Sequence, residues 1–159
     1  MKKISIEELI LNELNNLNNW DDLSKNYELS EDIIEQFANK VNWELIYMNQ
    51  NLSEEFIEKY SNKIDWNTIS INNDLSESFM EKYKDKLSWG TISIHQNLSE
   101  TFIDKHSDKV NWTFICMYQK LSEPFIEQHK NEVKWSFVFK RQKLSESFKE
   151  KYKKYLKEE

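Results

Sequence analysis

The chain is nearly free of the residues that break or bend a backbone. Its 159 residues include one glycine, Gly90, and one proline, Pro124. Turn-rich β architectures need positions with φ > 0 and breakers between strands, and this composition disfavours them. Phosphate-cradling loops need several glycines so that backbone can approach a ligand, so neither a P-loop nor a dinucleotide fingerprint can be written. The single cysteine, Cys116, excludes an intramolecular disulfide and any multi-cysteine zinc site. It fits a reducing, intracellular compartment best. Long apolar runs are missing as well. The start, Met1-Lys2-Lys3-Ile4-Ser5-Ile6, opens like a signal peptide, but Glu7 and Glu8 interrupt the run. No stretch approaches the ~20 apolar residues that span a bilayer. The expectation is a cytoplasmic protein that makes no use of a membrane.

Aromatic residues make up 14% of the chain and hydrophobic residues 38%, which argues against disorder despite 31% charged residues. The net charge of -6 conceals an asymmetry. Residues 1–80 carry 6 Lys/Arg against 16 Asp/Glu, and residues 81–159 carry 16 against 12, so the halves stand at -10 and +4. Such a dipole can orient a partner without identifying it.

The informative feature is an internal repeat. All six tryptophans, Trp20, Trp43, Trp66, Trp89, Trp112 and Trp135, fall at intervals of 23 residues. A Leu-Ser-Glu comb keeps the same step from Leu29 through Leu52, Leu75, Leu98, Leu121 and Leu144. The spacing defines five full units over 29–143, a degenerate first unit over 5–28 and a half unit over 144–159 that stops before its tryptophan. No linker or composition break separates them, so residues 1–159 are read as one repeat domain.

Each unit reads as two helices. In Leu52–Ile64, Ser53 is a preferred N-cap, Glu54 and Glu55 sit where the helix dipole favours negative charge, and Leu52 and Ile57 have the spacing of a hydrophobic staple. Phe56, Ile57, Tyr60 and Ile64 then form one apolar stripe, which predicts an outer helix A. Helix B starts at the tryptophan, usually behind a capping residue such as Asn42, Asp65, Ser88 or Asn111, and runs about eight residues. Helices this short are held by packing. Repeats that cannot bury their faces alone stack into a solenoid with polar ends, and Lys140, Lys149 and the charged tail fit a cap. The fold class is all-α: an α-solenoid of short helical hairpins.

The consensus Leu-Ser-Glu-x-Phe-Ile-x-x-Tyr-x-x-Lys-Val-x-Trp-x-x-Ile-Ser-x-x-Gln resembles the short tandem repeats of uncharacterised proteins from giant DNA viruses, phages and AT-rich bacteria, over residues 29–157. The resemblance implies no activity. It suggests a viral or mobile-element setting, in which small binding proteins that block host systems are common.

Two surfaces compete as sites. Helix B carries Met48, Ile71, Ile94 and Met117 about 140° around from its tryptophan, with Phe114 beside them. A core spine does not require apolar groups there, and methionine suits adaptable contacts. The strip is either a partner-binding surface on a concave face or is buried by a neighbouring helix A. Helix A carries paired carboxylates at i and i+4, among them Glu54 and Glu58, Glu77 and Glu81, Glu100 and Asp104. That ridge could imitate a phosphate backbone, or be a solvated face whose first column serves the helix N-termini.

Other patterns have structural readings. The tryptophans are expected to form a buried core spine; an acidic protein lacks the basic groove that base stacking would need, which disfavours direct nucleic-acid binding. His106 and His129 replace a tyrosine of the repeat, and the Gln50, Gln96, Gln119, Gln142 column, with Asn73, is expected to satisfy backbone groups between units. No nucleophile–base pair, metal set or cofactor fingerprint can be argued. The expectation is a non-enzymatic protein-binding scaffold, a viral or phage inhibitor or adaptor, monomeric or weakly self-associating. The alternative is an acidic nucleic-acid mimic that occupies a nucleic-acid-binding protein.

Overall fold

The computed structural model describes residues 20–157, so residues 5–19 of the degenerate first unit and the last two of the tail lie outside the described residues. Twelve α-helices and one 3-10 helix, with no strand, are found among the described residues. The chain divides into two compact units, residues 1–64 and 65–159. The boundary falls inside the repeat 52–74, between its A and B helices.

The first unit holds α1 (Trp20–Asn26), α2 (Glu31–Gln36), α3 (Trp43–Asn49) and α4 (Glu54–Lys59). The second holds α5 (Trp66–Asn72), α6 (Glu77–Lys82), α7 (Trp89–His95), α8 (Glu100–Lys105), α9 (Trp112–Tyr118), α10 (Glu123–Gln128), α11 (Trp135–Arg141) and α12 (Glu146–Tyr152), closed by the 3-10 helix Lys153–Lys157. Odd-numbered helices are B helices and even-numbered ones A helices. This is the predicted all-α repeat of short helical hairpins. In the second unit consecutive B helices pack on one another, α5 on α7, α7 on α9 and α9 on α11, the stacking of an α-solenoid; in the first, α1 packs on α3.

Capping decides where each helix starts. The hydroxyls of Ser30, Ser53, Ser76, Ser99, Ser122 and Ser145 each accept the N–H three residues on, at 3.1–3.4 Å. Asn42, Asp65 and Asn111 do the same for B helices, whereas Ser88 and Lys134 cap nothing with their side chains. Pro124 lies in the first turn of α10, where its missing N–H costs little.

Helix ends explain the scarcity of glycine. The A helices are shorter than the apolar stripe predicts: α4 stops at Lys59, and Tyr60 follows at φ -106. The chain then turns through i→i−3 bonds such as Ser61 N–H to Glu58 O and Lys63 N–H to Tyr60 O. No described residue has positive φ. A helix that leaves through such a turn needs no left-handed residue, and so no glycine.

Each unit has two fully buried aliphatic columns. One lies on its A helices, at Ile34 and Ile57 in the first unit and at Met80, Ile103 and Ile126 in the second. The other lies on the B helices, at Ile46 and at Ile69, Ile92, Ile115 and Val138. A third B-helix position must be small or well filled: Ser70, Ser93 and Cys116 are all fully buried. The Ser93 hydroxyl accepts the Asn111 N–H at 3.1 Å, and the Cys116 sulfur accepts the Lys134 N–H at 3.3 Å, so the next repeat's chain docks there. Tyr47 fills the same position of the first unit, and burial pushes its hydroxyl pKa well above the usual tyrosine range.

The glutamine column welds the repeats. Gln96 donates to Ser70 O and Asn73 O and accepts the Leu75 N–H; Gln119 donates to Ser93 O and Gln96 O and accepts the Leu98 N–H. Gln142 and, in the first unit, Gln50 repeat the pattern. Every such amide answers three backbone groups at the joint, two carbonyls of the preceding repeat and the leading leucine N–H of its own, which the ends of short helices leave open.

Candidate binding face

A seven-residue B helix places its first, fourth and fifth residues inward and its second, third, sixth and seventh outward, at 100° per residue. Burial follows this division. Ile92 and Ser93 of α7 are fully buried, while Gly90, Thr91 and Ile94 are half-buried and His95 exposed. The sixth position therefore faces solvent, although it is apolar in most repeats.

The sequence-predicted strip sits at that position. In the first unit Met48 is 49% exposed. In the second Ile71 is 40% exposed, whereas Ile94 and Met117 are half-buried, as is Phe114 at the third position of α9. The strip is thus not buried under an A helix. Tyr118 stands 54% exposed at the seventh position, its ring 6.3 Å from that of Phe114, an aromatic extension that the sequence reading left out. The signal was available: a seventh position lies beside the sixth on the outward face.

The carboxylates of the A helices are engaged between repeats. Glu77 accepts the Ser99 N–H at 2.7 Å, and Glu100 accepts both the N–H and the hydroxyl of Ser122. Glu31 does the same for Ser53, and Glu123 for Ser145. The second carboxylate of each helix pairs further along. Glu81 binds Lys105 at the end of the next A helix and His106 just after it, each at 2.8 Å, and Lys84 at 3.0 Å. Asp104 accepts from Gln128 at 3.0 Å and lies 2.9 Å from His129 Nε2. Glu54 and Glu58 are half-buried. Sequence reasoning gave the first column only to the dipole of its own helix; the link to the serine 22 residues on is new.

These pairings move the local pKa values. Lys105, then Lys84, and more weakly His106, hold the Glu81 carboxyl down at about 2. Lys151, and then the Tyr152 hydroxyl, lower that of Glu127, and the Thr68 hydroxyl lowers that of Asp65.

The tryptophans depart from expectation. Trp135 and Trp20 are buried, but Trp43, Trp66, Trp89 and Trp112 are half-buried. Each of these four rings lies over the Phe and the Tyr or His of the following A helix: Trp89, for example, is 6.0 Å from Phe102 and 4.7 Å from His106. Its indole N–H donates to Lys84 O at 2.9 Å, five residues back. Reaching that carbonyl keeps the indole at the margin, and the aliphatic columns take the innermost places. The rings cover the core without facing outward on the B side.

His106 and His129 are buried at the tyrosine position, each against a carboxylate of the preceding repeat. Among the described residues, no group of three or more His, Cys, Asp or Glu side chains could hold a metal ion, and no helix is long and apolar enough to cross a membrane. No family model matches the chain, and neither a curated protein nor a solved structure matches it.

Proposed function

We propose that this protein is a non-enzymatic scaffold that binds a protein partner through the outward face of its B helices, in the viral or phage setting that its repeat consensus suggests. One observation carries the reading. Ile71, Ile94, Met117 and Phe114 hold apolar surface in solvent at positions where the buried columns need nothing from them. Contiguous exposed apolar surface commonly marks an interaction site, and methionine adapts to its partner. The acidic-mimic alternative has less support, because Glu77, Glu81, Glu100 and Asp104 are already committed to serines, lysines, a glutamine and histidines of their own chain.

The test compares the wild type with Ile94→Glu/Met117→Glu as bait in lysate of the native host, read by quantitative mass spectrometry. A protein held by the wild type and lost by a double variant that keeps its helical circular dichroism is the expected outcome. Equal capture by both baits overturns the site. A complex held only at low salt, and insensitive to this double variant, favours the acidic ridge.

A further inference from the structure

The face proposed above has a direction. The outward positions of α5, α7, α9 and α11 carry no carboxylate, and neither does the rest of those four helices. Along them the sixth position runs Ile71, Ile94, Met117, Lys140, and the seventh runs Asn72, His95, Tyr118, Arg141. The positions flanking each helix change in the same order. The N-cap runs Asp65, Ser88, Asn111, Lys134, and the residue after the C-cap runs Asp74, Asn97, Lys120, Lys143. Four independent columns of the repeat thus pass from apolar, neutral or acidic at α5 to basic at α11.

The basic end is available for a partner. Lys120, Lys134, Lys140, Arg141 and Lys143 are all exposed, and none of these side chains pairs with a carboxylate among the described residues. Lysines on the A side behave otherwise: Lys84, Lys105 and Lys151 each hold a carboxylate of their own chain. A cluster of like charges without internal partners repels itself, and an anionic group laid over it relieves that repulsion.

Resting on the protein-binding reading, we infer that this face takes a peptide segment of a partner that is apolar along most of its length and ends in a cluster of carboxylates, the acidic end lying over Lys140 and Arg141. The apolar part covers Ile71, Ile94, Met117 and Phe114. The charge gradient sets the polarity of docking: a segment laid the other way would leave its carboxylates beside Asp65 and Asp74 and its apolar groups on four or five cations. Packed helices stand about 8–10 Å apart, so the four B helices offer a track of roughly 25–30 Å. The sixth-position column is aliphatic at Ile71, Ile94 and Met117, and outward rings flank it only on α9 and α11, at Phe114, Tyr118 and Phe137, so the longer apolar part of the face favours a peptide over single-stranded nucleic acid.

The experiment pans a random 16-residue peptide display library against the full-length chain and measures the selected peptides by fluorescence anisotropy. The expected peptides combine several large apolar residues with Asp or Glu gathered at one end. Lys140→Glu/Arg141→Glu, at two exposed positions, should weaken them by about tenfold or more, with a smaller loss at high salt. Panning against that variant should no longer enrich acidic ends. Peptides that are lost on Ile94→Glu/Met117→Glu, yet lack acidic ends or ignore the charge reversal, overturn this inference and leave the protein-binding reading standing. If no peptide is enriched, or if binding ignores both variants, both readings fall. Binding of a 20-residue oligo(dT) that the charge reversal abolishes and the selected peptides do not displace overturns the peptide in favour of nucleic acid.

Discussion

Trp89 joins two repeats by a single ring: its face covers Phe102 and His106, and its N–H holds the carbonyl of Lys84. Removing it as Trp89→Ala should cost about 3 kcal/mol, the lower end for a large truncation because the ring is half-exposed. Trp89→Phe should recover part of the loss but not the hydrogen bond. Urea unfolding of the two variants reads both. The 23-residue period made the tryptophan column plain in the sequence. Its depth was not legible, because depth depends on where the indole N–H finds an acceptor. Glu81 offers a second residue-scale prediction. Its carboxyl sits at about 2, below its ordinary value near 4.5, chiefly through Lys105 and Lys84. A depressed carboxylate adds stability that is fully present above its unfolded pKa and is lost as pH falls through the folded one. The wild type should therefore lose melting temperature more steeply than Glu81→Gln between about pH 4.5 and pH 2, and the two curves should converge at the acid end. Parallel curves in a thermal melt series would exclude the linkage.

At the scale of the element, the helices are short enough that their ends dominate them. Each has six or seven residues, and an α-helix leaves four N–H and four C=O groups unsatisfied at its ends. The serine caps that answer the first set were legible, since Leu-Ser-Glu before an apolar pair is a start signal in any sequence. The glutamines that answer the second set were legible in role but not in partner: nothing local says that Gln119 spans back to Ser93, Gln96 and Leu98 at once. Gln119→Leu should cost about 2–3 kcal/mol by leaving those groups buried without partners. A native-state hydrogen-exchange measurement should show the Leu98 amide losing its protection first. Gly90 is the opposite case. It sits inside α7 with negative φ, and a Cβ added there meets nothing within 4 Å. Gly90→Ala should stabilise the protein by about 1 kcal/mol, since glycine inside a helix gains nothing here. If the same substitution weakens peptide binding, the notch belongs to the binding face and was retained for it.

At the scale of the molecule, the repeat made the fold class readable and left the function to two competing surfaces. What separates them is burial and pairing, and a single sequence carries neither. Met48 and Ile71 stand in solvent, whereas Glu81 and Glu100 are held by the next repeat. The division between residues 64 and 65 had no compositional mark. Stability in such an array is a sum of repeat terms and nearest-neighbour terms. The last neighbour term is visible at Trp135, whose ring is 4% exposed and lies 4.7 Å from Tyr152 and 4.9 Å from Tyr155. A chain ending at Lys143 should bare that ring. Its tryptophan emission should shift to the red, and its melting temperature should fall below that of the intact chain, with α5 to α9 still helical by circular dichroism.

The glutamine ladder also constrains how such a gene can change length. Every bond in it is fixed at a separation of 21, 23 or 26 residues. A duplication or loss of 69 base pairs moves whole rungs and restores the register at the joint. A one-residue insertion between two rungs strands a donor and an acceptor in the interior. Viable length variants of this gene should therefore differ in steps of one complete repeat, and the reach of the proposed binding track should grow or shrink by one helix at a time.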